Sequence, residues 1–566
     1  ITKFFRLIAG WNILRIFVVS KETTFMFKKS SSTSDLDLFS SPTSLLGKRA
    51  AKKYDDPKAW HNQFFKLVTS QISEEVFEPL YKDGNMGAPN ASIRILVAMS
   101  ILKEGFGCSD EDLFEKCEFD MLTRKAMGLF NLDDVPPSLD TYYLFRRRIC
   151  EYEAGHRVNL MEKCFESVTG EQIKLFKISG KSVRMDSKLI GSNIAQYTRY
   201  EIVHRTLCKT LNQPGNLAML SPKLRGQSKV YLEEEPGKTI YRANPELMYQ
   251  RLIAIGQYVY LVLKRLKDDA PLYDLLHRAF HDQYIVEKGK AIPRDKKDIG
   301  ADSLHSPDDP EAGFRNKYGK KTHGYLTNIT ETVEEDKPSV ITSVQTEPVT
   351  FSDCHFLQDA VANTERVTNQ TITELYADGA YQSPDNREFC QAHDDMNLIT
   401  GRIQGGCRFI LNHKKETDEL LITDTQTGEL IQAIFRGDSP KYGKRWKMPE
   451  TYGEKSRKYH YFTEKDIARS ELRQQIENIP KEERNKRNNV EATMFQYSFH
   501  TRNNKTRYRG LLKHRLHAYS RCMWMNLVRL VLFQVKTGPK SFIALFEFLV
   551  TALKSPFCLP KLFWAN

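Results

Sequence analysis

The chain has 566 residues, of which 40% are hydrophobic and 11% aromatic. That is too long for one ordinary core and too apolar for a disordered chain, so two to four domains are expected. Lys and Arg number 84 against 71 acidic residues, a formal charge of +13, and this excess points to a polyanionic partner without naming one.

Ten cysteines are scattered with no Cys-x-x-Cys pair and no Cys/His cluster. This argues against structural zinc and a disulfide framework, and the thiols read as reduced groups of a cytosolic protein. "ITKFFRLIAGWNILRIFVVS" is interrupted by Arg6 and Arg15, and "FIALFEFLV" carries Glu547. Neither approaches the roughly 20 apolar residues of a membrane span, so no membrane partner is expected. A Gly-x4-Gly-Lys phosphate loop is absent, which removes support for a nucleotide enzyme.

In chain order, the serine-rich stretch 28–47 reads as a flexible lead-in within an extension covering 1–55. From about 56 to 172 the pattern is helical. "ASIRILVAMSILKEGFG" carries Ile93, Leu96, Met99, Ile101 and Leu102 before a glycine-rich stop. Ser109 is placed to cap "DEDLFEKC", with acids in the first turn. Ser138 is placed to cap "LDTYYLFRRRICEYE", which presents Arg146, Arg147 and Arg148 beside Tyr142 and Tyr143. Short helices with one basic, aromatic-bearing member suit DNA docking; a plain bundle with a solvated arginine turn is an equal reading.

From 176 the period changes. "FKISGKSVRMDSKLI" alternates, with Val183, Met185 and Leu189 on one side and Arg184, Asp186 and Lys188 on the other. Residues 200–295 return to helix. Strand-like runs follow at 323–334, 339–349 and in "TITELYADGA", with a helix between the last two. Residues 403–465 are strand-like and turn-rich, 476–533 are helical and basic, and 536–566 form a tail. A mixed α/β sheet carrying a helical insertion and a β-rich insertion, preceded by an all-helical domain, explains this order.

Three acids stand out. Asp378 follows an apolar strand, precedes Gly379, and is followed by the helix-starting pair Ser383-Pro384. Gly379 would spare a ligand or backbone the crowding of a β-carbon. An isolated strand–Asp–Gly is nevertheless more often a turn cap. Asp186 sits mid-strand, where an unpaired carboxylate is costly. Two such aspartates in one sheet repel unless a cation lies between them, and hard oxygen ligands suit Mg²⁺. Glu491 lies on a helix whose Val490, Met494 and Phe495 look buried, with Arg487 one turn earlier. Across 481–529 there are twelve Lys/Arg against three acids, and a basic surface with one acid at its centre suits nucleic-acid chemistry.

The order strand-Asp, strand-Asp, helix-Glu resembles that of the DDE transposases of bacterial insertion sequences, which share an RNase H-like fold. The stretches that carry the resemblance are "RMDSKLIGSN", "HSPDDPEAGFRNKYGKKTHGYLTNITET", "LYADGAYQS" and "RNNVEATMFQ", and the helical region resembles these proteins' DNA-binding domain. The resemblance implies Asp186, Asp378 and Glu491 as catalytic, metal-holding triad within an RNase H-like catalytic domain over 173–535. It further implies two Mg²⁺ ions (Mn²⁺ substituting), cleavage and strand transfer on double-stranded DNA comprising element terminal repeats and target, a homodimer in the active complex, and a bacterial, nucleoid-associated location. In one branch the glutamate belongs to a Tyr-x2-Arg-x3-Glu-x6-Lys signature. Arg487 and Glu491 fit it, whereas Arg484 and Ser498 stand where tyrosine and lysine are expected. Expected DNA contacts are Arg146, Arg147, Arg148, Arg315, Lys317, Lys320, Lys321, Arg487, Arg502, Arg507, Arg509, Lys513 and Arg515, with His323 beside the first strand group. Rival readings are a catalytically inactive transposase-derived DNA-binding protein and an RNase H-like metal nuclease.

Overall fold

The computed structural model describes residues 27–29, 42–81, 89–393, 396–400, 408–414, 417–440, 443–449 and 461–537. Most of the expected N-terminal extension, the tail beyond 537 and parts of the expected β-rich insertion lie outside the described residues. The chain divides into two compact units, one comprising residues up to Gln172 together with those from Tyr519 on, the other Ile173–Ala518. Among the described residues no helix is long and apolar enough to cross a membrane.

The first unit is helical. Trp60–Leu67, Ile93–Phe106, Asp110–Phe119, Met121–Met127 and Leu139–His156 surround a core that includes Phe64, Leu96, Met99, Leu102 and Phe145. Ser109 caps its helix through a capping box with Asp112, and Ser138 accepts the Thr141 N–H. The sequence expectation carried the second domain to 535. Residues from Tyr519 on lie instead with the first unit, because Trp524 packs its ring against Phe106, Phe64 and Trp60 at centroid separations of 5.3, 6.1 and 6.4 Å.

The second unit is mixed α/β. Its main sheet contains β1 (Ser182–Gly191), β4 (Gly313–Lys317), β5 (Lys320–Thr332), β6 (Ile341–Pro348), β7 (Glu374–Ala377) and β8 (Asn397–Thr400). Strand β5 pairs antiparallel with β1 on one edge and, end to end, with β4 and β6 on the other; β7 and β8 extend the sheet parallel to β1. Val183 and Met185 point into a core with Leu357, Ala360 and Val361 of the helix Leu357–Thr368. Arg184 and Asp186 face the opposite side, where the helix Asn489–Tyr497 packs. The alternation read from the sequence is therefore real, yet both faces of β1 are covered.

Between β1 and β4, helices from Arg199 to Gln283 build their own core around Val203, Leu207, Ile255, Val259 and Phe280. This block ends in an unanticipated hairpin, β2 (Tyr284–Glu287) with β3 (Lys290–Pro293). Two three-stranded sheets follow β8: β9 (Phe409–Lys414) to β11 (Leu430–Gln432) through β10 (Glu419–Asp424), and β12 (Ile434–Ser439) to β14 (Tyr461–Thr463) through β13 (Gly443–Lys447). They enclose the fully buried Trp446 with Leu420 and Ile422. The stretch 476–533 is not continuously helical. Residues 498–510 run irregularly along the end of β1, where Gly191 donates to the Asn504 carbonyl and Thr506 donates back to Gly191.

A β-carbon at Gly105 would overlap the Trp524 ring, whereas one at Gly155, in the helix Leu139–His156, would meet nothing within 4 Å. Gly105→Ala is therefore expected to lower the thermal midpoint, by about 1–3 kcal/mol of stability, despite alanine's better helix propensity. Gly155→Ala is expected to leave it unchanged or raise it, and differential scanning fluorimetry compares the two.

Candidate active site

Strands β1 and β7 run parallel with Ser182 opposite Glu374 and Arg184 opposite Tyr376. The same spacing along the chain separates Asp186 from Asp378, so the register sets the two aspartates side by side where β7 has just ended. Asp186 Oδ1 accepts the Ser187 N–H at 2.8 Å, and Asp378 Oδ1 accepts the Gly379 N–H at 2.6 Å. Asp378 thus caps its turn while its second oxygen stays free of that bond. A β-carbon at Gly379 would meet no atom within 4 Å, so the chain's own backbone does not require glycine there, contrary to the crowding expected. Ser383 caps the helix Pro384–Ala392 through the Asn386 N–H.

Glu491 comes from the third position of the helix Asn489–Tyr497. That helix buries Val490, Thr493, Met494 and Tyr497. Phe495, expected to be buried, is 64% exposed, because a spacing of four from Glu491 puts it on the solvent side. Two anchors fix the helix and the turn before it. Buried Arg184 donates from Nε to Glu331 Oε1 at 2.5 Å and from its terminal nitrogens to the Lys486 carbonyl and the Ser339 hydroxyl, both at 3.1 Å. Thr493 donates to the other oxygen of Glu331 at 2.7 Å. Beside them the Tyr376 hydroxyl donates to Glu483 at 2.8 Å.

The consequence is convergence. One terminal nitrogen of Arg487 lies 3.8 Å from Asp186, 3.9 Å from Asp378 and 4.0 Å from Glu491. No two of these carboxylate oxygens can be further apart than the sum of their distances to that nitrogen. All three approaches are ion-pair distances rather than hydrogen bonds, and among the described residues the buried Arg487 Nε has no hydrogen-bond partner. The guanidinium balances charge without being tightly held. As placed around it, no three His, Cys, Asp or Glu side chains among the described residues are close enough to hold a metal ion. The donor set itself, three carboxylates about one cation, is the hard-oxygen chemistry that Mg²⁺ and Mn²⁺ take.

Burial pushes the Asp186 carboxyl up to about 6, opposed by the Ser187 N–H and by Arg487 and reinforced by Asp378. Glu491 is 69% exposed and Asp378 48%, so the site opens to solvent on their side. Asp186 and Glu491 line a cleft of about 540 Å³ together with Arg315, Lys317, Lys320, Lys188 and Asp353. Sequence reading missed the last two. Lys188 follows Asp186 by two residues on the same face of β1, a period-2 signal that was present. Asp353 had none: it arrives from the turn before the helix Leu357–Thr368, accepting from the Ser187 hydroxyl and from Arg315 at 2.8 Å.

The other expected DNA contacts divide by what they touch. Lys317, Lys320, Lys321, Arg502, Arg507 and Lys513 are exposed. Arg315 is paired to Asp353, Arg509 donates to the Asn193 carbonyl, and Arg515 ties its helix to Glu347 and the Thr346 carbonyl. In the first unit Arg147 is exposed and pairs with Glu151, while Arg146 and Arg148 lie over the rings of Tyr142 and Tyr81. His323, packed near His305 and Phe314, is pushed down to about 4 by burial. Ser498 is buried and donates to the Met494 and Phe495 carbonyls; the Arg484 side chain lies outside the described residues.

Residues 52–148 match the family model described as "Transposase domain (DUF772)". No curated protein and no solved structure matches the chain. The chain therefore carries a transposase domain, which bears out its resemblance to the transposases of insertion elements. The matched segment lies in the helical unit and ends before the first acid of the triad.

A carboxyl raised on folding stabilises below its unfolded pKa, and that contribution is lost as pH rises from about 4 through 6. Asp186→Asn, which keeps an acceptor for Ser187, is expected to raise stability above pH 7 by roughly 2–3 kcal/mol and to give no gain near pH 4. Urea denaturation at the two pH values checks it.

Proposed function

We propose that the protein is a DDE transposase: it binds the ends of an insertion sequence and catalyses metal-dependent DNA strand cleavage and strand transfer. The transposase domain match supports the general role. The observation that carries the chemistry is the meeting of Asp186, Asp378 and Glu491 around a single guanidinium nitrogen. The mixed sheet, with one acid on β1, the second just past the end of the adjacent parallel β7 and the third on a helix packed across β1, supports an RNase H-like catalytic core. The helices of 199–283 and the two small sheets of 409–463 then read as insertions between the acids.

Asp186, within β1, and Asp378, just past the end of β7, would hold the two Mg²⁺ or Mn²⁺ ions, with Glu491 completing the set. Bound there, such ions supply a lowered pKa for the attacking water or 3′-hydroxyl and charge stabilisation for the leaving 3′-oxygen. The protein's own part is positional. The Arg184–Glu331–Thr493 bonds keep Glu491 beside the two aspartates, and Tyr376–Glu483 keeps the preceding turn in place. Arg487 neutralises the carboxylates before ions enter and afterwards has donors to offer a phosphate oxygen. Lys188, Lys317 and Lys320 give the cleft its attraction for a DNA backbone, and exposed Arg147 serves the same end in the helical unit. These contacts imply affinity that falls steeply with salt. Ser498, spent on helix carbonyls, offers no lysine-like contact, so hairpin handling of the DNA end is not part of the proposal. Bringing two ends together calls for a homodimer in the active complex.

Asp378→Asn is expected to abolish Mg²⁺-dependent nicking of DNA carrying the element's own ends, a loss of at least 100-fold on the scale of removing a catalytic electrostatic group. End binding should stay within a few-fold in a gel-shift assay. Retained cutting by this variant would refute the assignment.

A further inference from the structure

The hairpin joining β4 to β5 turns at Tyr318 and Gly319, both in the left-handed region with φ of 51° and 78°. Two-residue turns of this kind favour Asn-Gly or Asp-Gly, since a bulky side chain at the first position is conformationally costly. Tyr318 returns nothing to the fold. It is 86% exposed, more than any other large apolar or aromatic side chain among the described residues. Among those residues it has neither a hydrogen bond nor a ring contact. Lys317 and Lys320 pair across the turn directly behind it, with Lys321 opposite Asn316, and among the described residues none of the three forms an ion pair. Tyr318, Lys317 and Lys320 line the same cleft as Asp186 and Glu491.

We propose that this hairpin tip is a nucleobase-stacking finger: Tyr318 takes an unpaired DNA base on its ring face while Lys317 and Lys320 hold the flanking phosphates. The inference rests on the DNA-processing reading of the cleft and extends it to how a strand is held there. Exposed aromatics interleaved with cations are what single-stranded DNA needs, because every base has a π-face and every step a phosphate. A strained tyrosine without a hydrogen-bond or ring partner among the described residues is accounted for by a partner outside the chain. An interaction limited to duplex phosphates would be served by the lysines alone, with asparagine at the turn.

The test uses the full chain in EDTA, with a duplex bearing a short 3′ overhang that contains 2-aminopurine and a blunt duplex of equal length. The unmodified protein and Tyr318→Phe should quench the overhang's fluorescence. Tyr318→Asn, which suits the left-handed turn, should keep or raise the thermal midpoint, lose the quenching, and bind the overhang DNA about 5- to 100-fold more weakly. Its affinity for the blunt duplex should change less. Equal quenching and affinity in Tyr318→Asn would overturn the proposal, as would equal losses on both DNAs. Because no divalent ion is present, those results leave the triad untouched, and failure of the triad's cleavage test leaves this measurement standing. Absence of DNA binding by the unmodified chain would overturn both.

Discussion

Arg184 reaches from β1 into the seam between the sheet and the segment 481–497, where its guanidinium meets the fully buried Glu331 of β5. The pair is worth little as net stabilisation, since desolvating two charges cancels much of their attraction. Its value is directional. Each partner is also held from its other side: Ser339 and the Lys486 carbonyl on the arginine, Thr493 on the glutamate. A single buried charge left by losing either partner would cost on the order of 3–5 kcal/mol, so the helix bearing Glu491 has one low-energy way to sit on β1. The site's third acid inherits its position from that constraint.

Bringing three carboxylates together carries an electrostatic penalty that the fold meets only in part. Arg487 supplies one positive charge at ion-pair distance, and among the described residues its Nε has no hydrogen-bond partner. The Asp186 carboxyl is pushed up to about 6, mainly by burial and to a smaller degree by Asp378. That burial places a stability cost of the proposed activity at Asp186.

Much of this arrangement was legible in the residues. The alternation of Val183, Met185 and Asp186 gave β1, the apolar run into Asp378 gave β7, and Ser109, Ser138 and Ser383 marked the helix starts where side chains do cap. Equal spacing along two parallel strands then turned sequence separation into adjacency. What stayed hidden depends on contacts far apart in the chain. Asp353 joins the cleft only because Ser187 and Arg315 converge on it, and Trp524 belongs with the first unit through rings some 400 residues earlier in the numbering. Phe495 is apolar yet shares the helical phase of Glu491, so its residue type alone misplaces it. β8 and the β2–β3 hairpin are four-residue strands, too short for periodicity to separate them from loop.

The most direct measurement is Mn²⁺ binding to the full chain, counted by electron paramagnetic resonance, for the unmodified protein and for Asp186→Asn, Asp378→Asn and Glu491→Gln. Saturable binding that falls at least tenfold in affinity in each of the three variants is the expected result. Binding that is absent in the unmodified protein, or indifferent to all three substitutions, would contradict a shared metal site.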